Sequence, residues 1–167
     1  MNDVERLLAY EEIRQLASHY ALYVDSRNID KLVALFTPDV KVGGERGRAA
    51  LHASMSETLR DVGVSVLNIG THAIDLDDDD HAHGFVYCHG QVVQEGKWVI
   101  QAIQYQDRYE RVDGHWLFER RKHLLFYGAH FGVNPLDVPK SGWPELTTGR
   151  GAVPESFESW QKFWSED

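Results

Sequence analysis

The sequence predicts an α+β domain in which N-terminal helices pack on one face of a curved, mainly antiparallel sheet. Three observations carry this expectation. Apolar residues near the N-terminus recur at three- and four-residue spacing, four long strand-like segments follow from Val64, and the turns between those segments are too short for parallel crossovers.

Leu7, Ile13, Leu16, Ala17, Tyr20 and Val24 form one stripe, with Asn2 or Asp3 available as cap, so residues 3 to about 25 make one long helix. Asn28 caps a short helix from Ile29 to Phe36, with Leu32, Val33, Leu35 and Phe36 as core candidates. Thr37-Pro38 stops it, because the residue before a proline is pushed out of the helical region. A brief strand at Val40 to Val42 and a turn over Gly43 to Gly47 lead to a third helix, Ala49 to Leu59, whose stripe is poorer. The meander follows: Val66 to Leu76, His81 to Gln94, Lys97 to Arg111 and His115 to Tyr127. Asp77 to Asp80, Glu95-Gly96 and Val112-Asp113-Gly114 punctuate it.

Both strand parities carry apolar residues, for example Trp98 and Ile100 on one and Val99 and Ile103 on the other. Both faces of the sheet are therefore expected to be covered, one by the helices and the other by a partner subunit or the tail. Residues 1–130 form the domain, and residues 131–167 form an extension that covers it or a subunit interface. This tail ends in PESFESWQKFW, a Pro-initiated amphipathic helix.

Composition narrows the function. The 167 residues suit one domain, and a formal charge of −9 without a long Lys/Arg run argues against nucleic acid or an anionic membrane as partner. A neutral or cationic small ligand fits better than a polyanion, and the expected pocket lining of Tyr, Phe, Ile and Val favours a hydrophobic one. The single Cys88 and the absence of a basic, then apolar, leader predict a cytoplasmic protein.

The segments IRQLASHYALYVDSRNIDKLVALFTPDV, GRAAL, NIGTHAIDL and YQDRYERVDGHWLFERRK, in this order and spacing, resemble the SnoaL-like, ketosteroid-isomerase-like group of the nuclear transport factor 2 superfamily over about residues 5 to 130. The resemblance implies a cone-shaped α+β barrel around a deep apolar pocket. It also implies a homo-oligomer, trimer or dimer, and a cofactor-independent enzyme. Two enzyme types look closest. The hexachlorocyclohexane dehydrochlorinase type carries Asp, His and Arg at positions matching Asp25, His72 and Arg121, but Lys where this chain has Tyr20. The bile acid 7α-dehydratase type matches Tyr20, Asp25 and His72, whereas its further Asp and its Arg fall near His89 or Gly90 and near Leu125. The acidic pair of the ketosteroid isomerases finds no obvious match.

These residues suggest a mechanism. His72 would take a proton from carbon, Asp25 would orient it, Tyr20 would donate to a substrate oxygen, and Arg121 would stabilise negative charge. A dehydratase acting on a hydrophobic, polycyclic, steroid- or polyketide-like substrate is the reading this set supports. An isomerase or cyclase, or a non-catalytic binding protein, stays open. Each residue also has an ordinary structural explanation: a core tyrosine, a turn carboxylate, a half-buried histidine, a solvated sheet-edge arginine. Strand parity sets Arg121 opposite Trp116 and Phe118, so both sets face inward only if a bulge intervenes. His81, His83 and His89 beside Asp77 to Asp80 read as a solvated strand and turn, not a metal site. Cys88 reads as a buried structural thiol. Trp143, Phe157, Trp160, Phe163 and Trp164 read as packing groups.

Overall fold

Asn2 starts the first helix by accepting a hydrogen bond from the Glu5 amide at 3.0 Å, while the Glu5 carboxylate accepts from the Asn2 amide at 2.7 Å, a reciprocal capping box. The helix, α1, runs Asp3–Asp25 and buries Ala9, Ile13, Leu16, Ala17, Tyr20, Ala21 and Val24. Leu7, expected on that stripe, is 69% exposed, and the buried stripe begins at Ala9. These features come from a computed structural model, which describes residues 1–133, 137–140, 155 and 157–165. Trp143 and Pro154 lie outside the described residues.

Helix α2 (Ile29–Ala34) ends two residues before the expected Phe36, and the chain then bonds to the sheet. Phe118 donates to the Leu35 carbonyl at 2.9 Å, and Thr37 donates to the Phe118 carbonyl at 3.0 Å. A two-residue ribbon follows, β1 (Lys41–Val42) with β2 (Glu45–Arg46), and then α3 (Arg48–Arg60). The meander is β3 (Ser65–Leu76), β4 (His81–Gln94), β5 (Lys97–Val112) and β6 (His115–His130), paired antiparallel in that order. Glu95-Gly96 and Asp113-Gly114 both adopt positive φ, the geometry of two-residue hairpin turns that match the twist of the flanking strands. The sheet is open, with β3 and β6 as its edges, so the architecture is a cone with a curved sheet and not a closed barrel. A final helix, α4 (Glu158–Ser165), buries Trp160 and Phe163.

Of the three register shifts in the sheet, two decide whether His72 and Arg121 point into the cone. In β3 the register steps from Ile69 opposite Cys88 to His72 opposite Val86, so β3 spends one residue more than β4. Ser65, Leu67 and Ile69 face inward before the step, and His72, Ile74 and Leu76 after it. Without that extra residue His72 would share the outward parity of Val66 and Asn68. In β6 the register steps from Phe118 opposite Tyr109 to Arg120 opposite Arg108. Trp116 and Phe118 therefore face inward on one side of the bulge and Arg121 on the other. The inward faces of the strands and the stripe of α1 merge into one core that includes Tyr20, Val86, Cys88, Ile103, Tyr105, Tyr109 and Phe118.

Candidate functional site

At the centre of the inner face Arg121 and Asp107 form a bidentate ion pair. Arg121 Nε donates to Asp107 Oδ1 at 2.9 Å and Nη2 to Oδ2 at 2.6 Å, with both side chains almost wholly buried. The register sets the two residues directly opposite on β5 and β6. Three rings enclose the guanidinium: its carbon lies 4.4 Å from the Tyr20 ring centre and 4.3 Å from those of Tyr105 and Phe118. The Asp107 carboxylate is the main influence holding the guanidinium's pKa above its ordinary value, against the opposing effect of burial.

A chain of hydrogen bonds leaves this pair. The Tyr109 hydroxyl donates to Asp107 Oδ2 at 2.9 Å, and His72 Nε2 lies 2.9 Å from the same hydroxyl. Tyr109 has one proton and gives it to the carboxylate, so its oxygen accepts from His72 Nε2–H. That assignment leaves Nδ1 as the ring's lone-pair nitrogen. Burial pushes the His72 pKa down to about 4, opposed by the Asp107 charge and assisted by those of Arg121 and Arg14. The imidazole is neutral at neutral pH. Burial likewise raises the pKa values of Tyr20, Tyr105 and Tyr109, and these phenols stay protonated.

Asp25 is elsewhere. Its Oδ1 accepts from Ser65 Oγ and its Oδ2 from the Leu67 amide, both at 2.9 Å, and no hydrogen bond or ion pair joins it to His72. The expected carboxylate–imidazole dyad is thus corrected. The Asp25 carboxylate clips the end of α1 to the start of β3, while Tyr109 occupies the orienting position beside His72. Burial raises the Asp25 pKa to about 6 despite these bonds and the nearby Arg27 charge. Arg27, fully buried, extends the clip: it donates to Ser65 Oγ at 3.0 Å, to the Val62 carbonyl at 3.1 Å and to the Val24 and Gly63 carbonyls.

The four residues singled out from sequence therefore divide. His72 and Arg121 belong to one network, Tyr20 packs its ring on Arg121, and Asp25 belongs to a second network. Asp107 and Tyr109, which link the first, went unrecognised. A signal for them existed: Ile103, Tyr105, Asp107 and Tyr109 share one strand parity, and a carboxylate on an otherwise apolar face demands a buried cation. His81 and His83 bind the turn acids, with Nδ1 to Asp78 at 3.0 Å and to Asp77 at 2.8 Å. Burial raises the Cys88 thiol to about 11, so it is no thiolate. Among the described residues, surface cavities of about 440, 510 and 610 Å³ are lined by neither His72 nor Tyr20 nor Asp25.

The chain has relatives. Gamma-hexachlorocyclohexane dehydrochlorinase from Sphingobium indicum is 24% identical over 155 residues, covering 85% of this chain and 99% of that protein. The structure of hexachlorocyclohexane dehydrochlorinase LinA-type3 from Novosphingobium barchaimii superposes with a TM-score of 0.71 at 19% identity, covering 78% of this chain and 95% of the other. A Mycobacterium tuberculosis protein of unknown function superposes with a TM-score of 0.65 at 19% identity, covering 99% of this chain and 89% of the other. At these identities the solved structures establish the cone fold. The SnoaL-like domain family matches residues 5–122, most of the chain, and the protein belongs to that family.

Proposed function

We propose that the protein is a cofactor-independent lyase, a dehydratase that removes water from a hydrophobic, ring-containing alcohol of steroid or polyketide type, with His72 as its base. The observation that supports this most is the chain His72–Tyr109–Asp107–Arg121, which holds a neutral imidazole on the inner face with Nδ1 free. A base must present a lone pair in a fixed direction, and the chain does both. The dehydrochlorinase name of the curated relative supports the coarser class, since both reactions remove a proton and a leaving group from neighbouring carbons.

In the proposed reaction Nδ1 takes the proton α to a carbonyl, and the electron pair moves into an enolate. The enolate expels the β-hydroxyl, which recovers the proton from the imidazolium and departs as water. Charge develops on the carbonyl oxygen, where the Tyr20 hydroxyl is the candidate donor. Arg121 acts as a positioning residue through Asp107, because its guanidinium is enclosed by rings and committed to the carboxylate. The same commitment disfavours chloride as the leaving group, since the Arg121 guanidinium is paired with Asp107 and is not open to a departing anion.

Incubating polycyclic β-hydroxy ketones in D₂O with the wild type and His72→Ala, followed by mass spectrometry, tests the reading. Water loss by the wild type, slowed roughly 10²- to 10⁴-fold in the variant, is expected. Deuterium uptake without water loss would replace the dehydratase with an isomerase or cyclase of the same base. Equal rates in the two proteins would remove His72 from the chemistry.

A further inference from the structure

Helix α1 and strand β3 run antiparallel along the inner face: the Leu67 amide donates to Asp25 at one end, and the Met1 ammonium lies 2.6 Å from Asp79 beyond the other. Arg14 precedes Asp25 by about three helical turns, so the two side chains leave α1 on the same flank, the one turned toward β3. Those turns advance about 16 Å, while the ladder steps from Leu67 to His72 and to Ile74, counted on β4 from Gly90 to Val86 and to Gly84, cover about 13 and about 20 Å. Arg14 therefore stands at the level of His72 and Ile74. Charge reports the same neighbourhood: after burial and the opposed charges of Asp107 and Arg121, that of Arg14 is the remaining influence on the His72 imidazole. On this edge strand Leu67, Ile69, His72, Ile74 and Leu76 are only half-buried, so His72 meets solvent along the seam that Arg14 flanks.

Arg14 is exposed, with its guanidinium carbon 5.9 Å from the Tyr10 ring centre. The chain has 26 Asp+Glu against 17 Lys+Arg, yet among the described residues no carboxylate pairs with this guanidinium. A fixed cation at that place opposes the imidazolium that His72 becomes when it takes a proton. An anion carried by the substrate would cancel the opposition in the complex, where the proton moves. We propose that Arg14 is a substrate-binding residue and that the substrate is a ring ketone bearing a carboxylate, which pairs with the guanidinium at the seam between α1 and β3 while the reacting carbon lies at His72. The inference rests on the dehydratase reading for the reaction but not for the binding. A planar carboxylate matches the two-pronged donor face of a guanidinium, and Ile69 and Ile74 on either side of His72 suit the rings. One guanidinium neutralises one carboxylate and leaves a phosphate dianion half matched.

Ligands that cannot react separate this inference from the dehydratase reading. Wild type, Arg14→Gln and Arg14→Lys are titrated calorimetrically with a tetralone carboxylate and an oxo-steroid carboxylate, each beside its methyl ester. At least one acid is expected to bind the wild type roughly five- to tenfold more tightly than its ester. Arg14→Gln should bring the acid to the ester's affinity without changing the ester's, and Arg14→Lys should keep part of the preference. NMR of the His72 ring supplies a readout that a merely structural arginine would not move. The bound acid should raise the His72 pKa in the wild type and have no such effect in Arg14→Gln, which no longer holds the carboxylate there. Equal affinities for acid and ester, a preference that survives Arg14→Gln, or no binding of either acid would overturn the proposal. Acid-selective binding through Arg14, with no water lost from the corresponding β-hydroxy ketones, would support it while overturning the dehydratase.

Discussion

Asp25 and His72 depart from their ordinary pKa values in opposite senses, and their effects on stability oppose each other. Folded Asp25 keeps its proton up to about 6, whereas the unfolded chain loses it near 3.8, so this residue lowers stability as pH rises across that interval. Folded His72 stays neutral down to about 4, whereas the unfolded chain binds a proton near 6.5, so this residue raises stability as pH rises from about 4 to 6.5. Asp25→Asn should remove the first effect; its oxygen can still accept from the Leu67 amide, while its NH2 must donate to Ser65 Oγ in place of the bond the hydroxyl donates to the carboxylate. Its urea midpoint is expected to rise between pH 4.5 and 6.5, with the Asp25 penalty of about 2–3 kcal/mol above pH 6 relieved. His72→Gln should show the reverse slope. Identical slopes in wild type and both variants would show that neither group is perturbed as described. Their roles were only partly legible in the sequence. His72 and Arg121 could be singled out by motif, but a sequence carries no record of which hydroxyl lies 2.9 Å from a ring nitrogen, and Tyr109 took the position assigned to Asp25.

The elements themselves were easier to read. Helix α1 and the four meander strands follow from periods of 3.6 and 2 and from the Glu95-Gly96 and Asp113-Gly114 turns, all of which are local signals. The bulges were not legible, because one inserted residue in β3 or β6 changes no composition and no local propensity. Each nevertheless turns a functional candidate from the outer to the inner face. The parity conflict at Arg121 is settled by the extra residue in β6, and His72 depends on the same device in β3. Close packing beside the β3 bulge adds a further constraint. A Cβ on Gly84 would lie 2.6 Å from the Ala73 carbonyl oxygen and 3.4 Å from Tyr109 Cε2. Gly84→Ala must push β3 away from β4 or displace the Tyr109 ring. A loss of about 1–3 kcal/mol is expected by urea unfolding, together with a disturbed His72 signal in NMR spectra. An alanine variant as stable as wild type, with that signal unmoved, would show that the strands separate there freely.

On the scale of the whole molecule, two buried arginines hold the cone together, one at its centre and one at the joint between α1 and β3. Arg121 fills its centre through Asp107, and Arg27 binds the α1 terminus to the loop before β3 while its guanidinium carbon lies 4.6 Å from the Trp160 ring centre. Trp160 packs with Val64 and Trp98 and couples α4 to that joint. Trp160→Ala should therefore cost about 3–5 kcal/mol, measured by urea unfolding, through lost packing and an exposed Arg27. An unchanged midpoint would show that α4 does not brace the cone. The central claim concerns the other arginine: that the Tyr109–Asp107–Arg121 chain presents His72 as a neutral base with Nδ1 free. Nitrogen-15 NMR of the His72 ring tests it most directly, because protonated and bare ring nitrogens resonate far apart. At pH 7 the wild type is expected to carry its proton on Nε2 alone, to titrate only near pH 4, and to lose the tautomer preference in Tyr109→Phe. A ring protonated on Nδ1, or on both nitrogens, at pH 7 would contradict the account.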